Sequence, residues 1–425
     1  MEQTQTDFVN RKGCSRILSG LEVTFRLSRR LCNWWFLAAI VGLAYLSAPG
    51  NVGAQVTILS SFGGGKPLGG IAPNGGLVLG SDGKLYGTTS KELGTTANGY
   101  FSGTVFRFDP ATSRFDSLKA FVPAKQQSPE SPLLVLKEGI VGVIGVSPVQ
   151  DGSIFNLVAS GAVQTWHEFG LQKTNGAYPS APLVLGPDSD GYLYGVTNSG
   201  GANGSGTFYK LNRATHKFTL VHSFSSSGPY QPTYLMLGQD ENFYGFAFSN
   251  SGAVIFVMTP AGAVTTLYTF NGAGSPTGWT LMQASDGTFY GTNTGIGTYN
   301  AGTVFKMTGT PPSVTVTVLH NFGQGADGAS PSGPVLVGPN GNLYGETSSG
   351  GTSGLGEGTV YEITPDGSAY TVLHNFGDGS IPNDGIYPRG GLTLGPDNNL
   401  YGTTFEGGAY DQVANGGGTL FKLSP

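Results

Sequence analysis

A Tyr-Gly pair returns along this chain at Tyr86-Gly87, Tyr194-Gly195, Tyr244-Gly245, Tyr290-Gly291, Tyr344-Gly345 and Tyr401-Gly402. Ile144-Gly145 stands in the one wide gap, which makes seven copies spaced by 46 to 58 residues. Self-similarity at such a period means one supersecondary unit stacked on its like. Each copy holds four strand-like stretches. In the sixth they are 334–337, 342–347, 358–363 and 370–376, with alternating apolar positions and Gly or Asp-Gly turns between them. The third stretch opens with the text Gly-Thr-Val-Phe or a variant, as at Gly302 to Phe305, and the fourth ends in Phe121, Phe169, Phe224, Phe270, Phe322 or Phe376. After the last third strand, ending near Phe421, the chain stops, so one fourth strand is missing there. Residues 56–62, Val-Thr-Ile-Leu-Ser-Ser-Phe, supply its counterpart at the other end. The pattern predicts an all-β, seven-bladed β-propeller of four-stranded antiparallel blades, the last blade (390–423) closed by the N-terminal strand. A parallel β-helix is the alternative; its rungs are shorter and it requires no displaced terminal strand.

Composition narrows the class. Glycine is abundant, 71 of 425 residues, but keeps no three-residue period, which excludes collagen, and 11% aromatic content can fill a core. Charged residues make up 11%, well below the typical ~25%. The net charge of −5 leaves no basic footprint for nucleic acid. Basic residues from Arg11 to Arg30 precede an apolar run from Trp34 to Leu46, and small residues lead to Ala54. This reads as a secretory signal peptide over 1–54 followed by a single propeller domain over 55–425. An N-terminal membrane anchor is the alternative, although the run is short for a span of about 20 residues. Without the leader the chain carries 15 basic against 23 acidic residues and loses Cys14 and Cys32, leaving no thiol, disulfide or cysteine metal site. No mature transmembrane segment is expected.

The repeated text Leu-Tyr-Gly-Thr-Thr, Gly-Gly, Gly-Thr-Val-Phe, Pro-Asp-Gly and Leu-His-Asn-Phe, clearest over 343–376 and 400–421, resembles the GloVer tandem-repeat proteins of bacteria. The resemblance covers nearly all of 56–425. It implies an exported protein, in a group whose members are attached to the envelope in differing ways or released, and it implies no particular activity. The lack of a C-terminal sorting segment puts surface attachment in doubt.

In a propeller, the loops from second to third strand and from blade to blade gather on one face. Here they are long, as in 90–102, 198–205, 348–357 and 405–417, and loops on a rigid scaffold are common binding sites. Tyr178, Tyr230, Trp279, Tyr299, Tyr387 and Tyr410, with Tyr100, are the aromatic ligand-binding candidates there, since such rings stack on sugars or anchor a protein partner. Tyr178 and Tyr387 precede Pro179 and Pro388 at matching positions, which equally suits a packing role. Acid catalysis on a glycan needs two carboxylates. Glu346 is the most individual candidate, replacing Thr88, Val196, Phe246, Thr292 or Thr403 after the Tyr-Gly pair; it is expected near the axis or upper rim, faced by Glu406, Asp378 or Glu357. His167, His222, His320 and His374 each stand two residues before a terminal Phe, on separate strands, and are not expected to converge on a metal. No cofactor is expected; calcium is a reading held in reserve, without an EF-hand loop to support it. The function classes left open are a secreted recognition scaffold for carbohydrate or another extracellular partner, a carbohydrate-active hydrolase or lyase, and a structural envelope component.

Overall fold

The glycine of each Tyr-Gly pair is required by the ring that lies on it. The computed structural model describes residues 54–425 except 65–69, 93–102, 122–127, 130, 146–150, 171–172, 180, 188–189, 272–273, 353–355 and 411–416; the leader reading, Tyr100 and parts of the long loops fall outside the described residues. A Cβ on Gly87 would sit 2.4 Å from Phe106, one on Gly195 2.3 Å from Tyr209 and one on Gly402 2.4 Å from Phe421. In the second blade it is Gly142 that lies against Phe155 and pairs with it in register. The counterpart there is therefore Val141-Gly142, a correction to the expected Ile144-Gly145.

That ring on the third strand is met by the phenylalanine ending the preceding blade's fourth strand. Phe121–Phe155, Phe169–Tyr209, Phe224–Phe256, Phe270–Phe305, Phe322–Tyr361 and Phe376–Phe421 have centroids 5.2 to 5.8 Å apart. The seventh junction is Phe62–Phe106, at 5.2 Å. The circle of aromatic pairs thus closes through the N-terminal strand, each pair contributing about 0.5–1.5 kcal/mol beyond its buried area.

The chain forms seven antiparallel sheets, a seven-bladed propeller. Blade I is Gly70–Leu79, Leu85–Glu92, Thr104–Asp109 and Arg114–Ala120; blade II is Leu134–Leu136, Gly139–Ile144, Ser153–Leu157 and Val163–Glu168. Blade III is Val184–Leu185, Tyr192–Thr197, Thr207–Asn212 and Phe218–Ser223, and blade IV is Tyr230–Leu237, Phe243–Ser249, Gly252–Met258 and Val264–Asn271. Blade V is Thr280–Gln283, Phe289–Asn293, Thr303–Thr310 and Ser313–Asn321. Blade VI has a broken inner strand, Ala329–Pro331 and Leu336–Val337, then Leu343–Ser349, Thr359–Ile363 and Tyr370–Asn375. Blade VII is Gly385–Leu394, Leu400–Gly407 and Thr419–Ser424, with Gln55–Ser61 as its outer strand. That last strand pairs from Gln55 opposite Ser424 to Ser61 opposite Thr419, which covers an edge that would otherwise be open to another chain.

Neighbouring blades are also clasped by backbone. In blades I, III and VII the residue before the inner-strand proline adopts a left-handed conformation, with φ of 57° at Ala72, 59° at Tyr178 and 58° at Tyr387. That geometry turns its N–H to a carbonyl of the blade before: Ala72 to Gly417 at 3.0 Å, Tyr178 to Asp151 at 2.8 Å, Tyr387 to Glu357 at 2.8 Å. The proline then abuts the glycine that opens the preceding third strand, so a Cβ on Gly358, at φ 102°, would lie 2.6 Å from Pro388. Near the axis the inner strands of blades VI, VII and I meet backbone to backbone. A Cβ on Gly333 would fall 2.2 Å from the Gly391 nitrogen, and one on Gly76 2.4 Å from the Gly390 oxygen.

Candidate functional site

Glu346 lies on the second strand of blade VI, at a position that is core in every blade, and its side chain is turned toward blade VII. It is 1% exposed. Its Oε2 accepts a hydrogen bond from the Gly391 amide at 3.1 Å, while Oε1 has no hydrogen-bond partner and stands where a Cβ on Gly402 would come within 2.5 Å. Burial pushes its carboxyl up to about 8, with the Gly391 amide opposing. Of the two expected positions, axis or upper rim, Glu346 takes the one beside the axial inner strands, against Gly391 and Gly402, and none of the expected partner acids Glu406, Asp378 and Glu357 is among the contacts described for it. Burial thus favours the protonated form of Glu346, which is sealed between blades VI and VII against Gly391 and Gly402. Asp378 is an exposed turn residue whose Oδ1 accepts from the Ser380 amide at 2.8 Å. Burial raises its carboxyl, but the Ser380 groups and His374 outweigh this and leave it below the ordinary value. Glu406 is half-buried near the end of the second strand of blade VII, opposite Ile386.

The tyrosines are distributed around the ring rather than gathered in one patch. Tyr178, at 39% exposed, precedes blade III; Tyr299, at 47%, follows the second strand of blade V; Tyr410, at 42%, follows that of blade VII. Tyr230 is half-buried and stacks on Phe248 at 6.0 Å. Tyr387 is half-buried too. Trp279 departs from the loop group altogether: it is 1% exposed and packs edge-on against Phe270 and Phe246, which makes it a core ring of the blade IV–V seam.

The histidines fasten loops and pack on rings. His320 shares a hydrogen bond with Asp327 at 3.0 Å, and His374 one with Asp384 at 2.9 Å, each acid lying in the connection to the next blade. His167 instead stacks on Phe218 at 3.9 Å, and burial pushes it down to about 4. Among the described residues no cluster of His, Cys, Asp and Glu is placed to hold a metal ion, and no helix is long and apolar enough to cross a membrane.

Two features were not among the sequence candidates. A cavity of about 460 Å³ opens between blades I and II on the short-turn face, opposite the long loops; Tyr86, Arg107, Leu118, Lys137, Glu138 and Ser160 help to line it. On the loop face, at the seam of blades VII and I, Arg389 lies over the Phe405 ring, 4.1 Å from its centroid. Its Nη1 donates to Asn74 Oδ1 at 3.3 Å.

A family model, the Gloeobacter/Verrucomicrobia repeat, matches residues 42–253 and 246–425. The chain belongs to that repeat family. No curated protein matches it. Among solved structures it is similar to virginiamycin B lyase from Staphylococcus aureus, at 13% identity and a TM-score of 0.56 over 88% of this chain and 99% of that one. A catalytically inactive variant of that lyase with quinupristin gives 12% identity and 0.55 over 88% and 99%. The extracellular domain of a proposed hybrid two-component system from B. thetaiotaomicron gives 10% and 0.56, over 85% of this chain and 39% of that one. Such identities show a shared fold and nothing finer.

The text of the Gloeobacter/Verrucomicrobia repeat, placed on the structure, is architectural. The tyrosine of the pair donates to a turn aspartate four residues earlier, at 2.9 Å for Tyr86–Asp82, Tyr194–Asp190, Tyr244–Asp240 and Tyr401–Asp397. The following threonine bonds its third-strand partner, as in Thr89–Thr104 at 2.8 Å and Thr404–Thr419 at 2.9 Å. Individual chemistry therefore falls at departures from the repeat, among them the ionisable and buried or half-buried Glu346, Glu357 and Arg389.

Proposed function

We propose that this chain is an exported recognition scaffold whose long-loop face holds an extracellular ligand, with carbohydrate as the first class to test. The observation that carries this reading is the exposure of Tyr178, Tyr299 and Tyr410 beside long loops on a closed, rigid ring. Large amphipathic rings held by a stiff frame lose little conformational entropy on binding and can stack on a sugar face. The burial of Glu346 weighs against the hydrolase or lyase reading, because a catalytic acid must reach the bond it protonates. Export rests on the leader-like residues before Gln55 and on the absence of cysteine after Cys32.

The test is binding of residues 55–425 to a broad glycan array, with calcium and with chelator, beside the denatured chain. Fold-dependent capture of one sugar class is expected, followed by an assay for turnover on that polymer. Binding of no glycan in either condition would remove carbohydrate as the ligand, and turnover lost in a Glu346→Gln chain that is still folded under the assay conditions would restore the enzyme reading.

A further inference from the structure

The position after the inner-strand proline ties one blade to the next in blades IV and VI. In blade IV, Thr233 Oγ1 donates to the Pro276 carbonyl at 3.0 Å, and in blade VI, Ser332 Oγ donates to the Pro388 carbonyl at 2.8 Å. A short hydroxyl therefore suffices to tie one blade to the next. Blade VII has Arg389 instead, half-buried, and its guanidinium reaches across to Asn74 of blade I. Lys91 Nζ stands 5.5 Å from the centroid of the same Phe405 ring that carries the guanidinium. Two cations thus share one phenyl ring in a chain of net negative charge.

Arg389 takes part in none of the ion pairs among the described residues. Burial lowers its affinity for its proton, and the charge of Glu406 works in the opposite direction without forming a pair. A guanidinium offers five N–H donors in a flat fork that matches a carboxylate, and stacking on an aromatic ring holds that fork in one plane. The seam also carries the exposed Tyr410, whose ring lies against Gly64, where an added Cβ would meet it at 2.7 Å. A fixed guanidinium, a second cation and an exposed tyrosine on one seam match a sugar bearing a carboxylate.

We infer that the loop-face end of the blade VII–I seam binds the carboxylate of an acidic glycan, with Arg389 as the bidentate donor, Lys91 as the second positive charge and Tyr410 beside the sugar ring. The inference rests on the carbohydrate reading above and names its ligand class. Its probe is an oligogalacturonate, titrated calorimetrically into residues 55–425 beside its methyl ester, acetate and inorganic phosphate. The acid is expected to bind, the ester to bind at least roughly tenfold more weakly, and the affinity to fall between about 0.05 and about 0.5 M salt. Arg389→Ser, which installs the residue that blade VI carries at the same position, is expected to fold and to lose roughly tenfold or more in affinity. Arg389→Lys keeps the charge without the fork and is expected to lose several-fold, so a result remains if the serine variant does not fold.

Equal binding of acid and ester, unchanged affinity in Arg389→Ser or Arg389→Lys, or no binding of the acid would each overturn the inference. Phosphate or acetate binding as tightly as the oligosaccharide would assign the seam to a small anion and overturn the glycan assignment. A neutral glycan found on the array, with an affinity that Arg389→Ser leaves untouched, would overturn this inference alone and leave the recognition reading standing.

Discussion

Replacing Glu346 by Gln is expected to change how stability depends on pH. In the folded chain burial holds the carboxyl up at about 8, against 4.5 for an unperturbed glutamate. Below about pH 4.5 both folded and unfolded chains carry the proton, and the stability contributed by the raised group is fully present. Between that value and about 8 the folded state keeps a proton that the unfolded state has released, so stability falls as pH rises, by about 1.4 kcal/mol per pH unit. The loss from pH 5 to pH 8 is on the order of 4 kcal/mol, and the slope ends once the folded group ionises. Gln cannot ionise and keeps an oxygen for the Gly391 amide, although its NH₂ enters a place where Oε1 has no partner. The variant is therefore expected to be less stable than the parent at pH 5 and to gain on it steadily toward pH 8. Urea unfolding followed by the fluorescence of Trp166 and Trp279 at several pH values measures both curves. Other titrating groups, the lowered His167, His222 and His320 among them, contribute equally to the two chains and cancel in the difference. Parallel curves across this range would refute the sealed-acid description of Glu346.

Deleting residues 55–61 should leave the edge of Thr419–Ser424 unpaired and remove the register from Gln55 to Ser61, giving a chain that self-associates on size exclusion and melts lower. Gly358→Ala should cost well over about 1 kcal/mol in urea unfolding, since it combines φ 102° with a Cβ 2.4 Å from the Thr347 oxygen. Gly341→Ala, at φ 82° with open space around the added carbon, should cost only about 1 kcal/mol. Tyr194→Phe should lose about 1 kcal/mol with its bond to Asp190. If the leader reading holds, N-terminal sequencing of the exported chain should begin at Gln55; retention of the apolar run in the mature protein would favour the membrane anchor.

The repeat was legible because its signature residues answer to one another. A glycine lies under a ring, that ring meets a phenylalanine of the preceding blade, and each contact recurs with the period, which is why 56–62 could be recognised as a displaced fourth strand. The second blade misled because it lacks the tyrosine: Ile144-Gly145 and Val141-Gly142 look alike in text, and only pairing with Phe155 separates them. Glu346 announced itself by replacing apolar or hydroxyl residues. Its burial did not, because that depends on Gly391 and Gly402 of the next blade, more than forty residues away. Trp279 was misplaced for a related reason: a tryptophan beside a turn can fold into either solvent or core, and here Phe246 and Phe270 surround it. Arg389 carries a weaker signal in the text than an aromatic or acidic loop residue does: it is one long cation where blades IV and VI have the short hydroxyls of Thr233 and Ser332.

Which face of the ring engages a ligand decides the account most directly. The glycan array should be repeated with a triple variant, Tyr178→Ala, Tyr299→Ala and Tyr410→Ala, beside Lys137→Ala at the cavity on the opposite face. Loss of binding in the triple variant at an unchanged melting temperature, with Lys137→Ala binding as the parent does, is the expected result. Full binding by the triple variant, or loss confined to Lys137→Ala, would contradict recognition on the long-loop face.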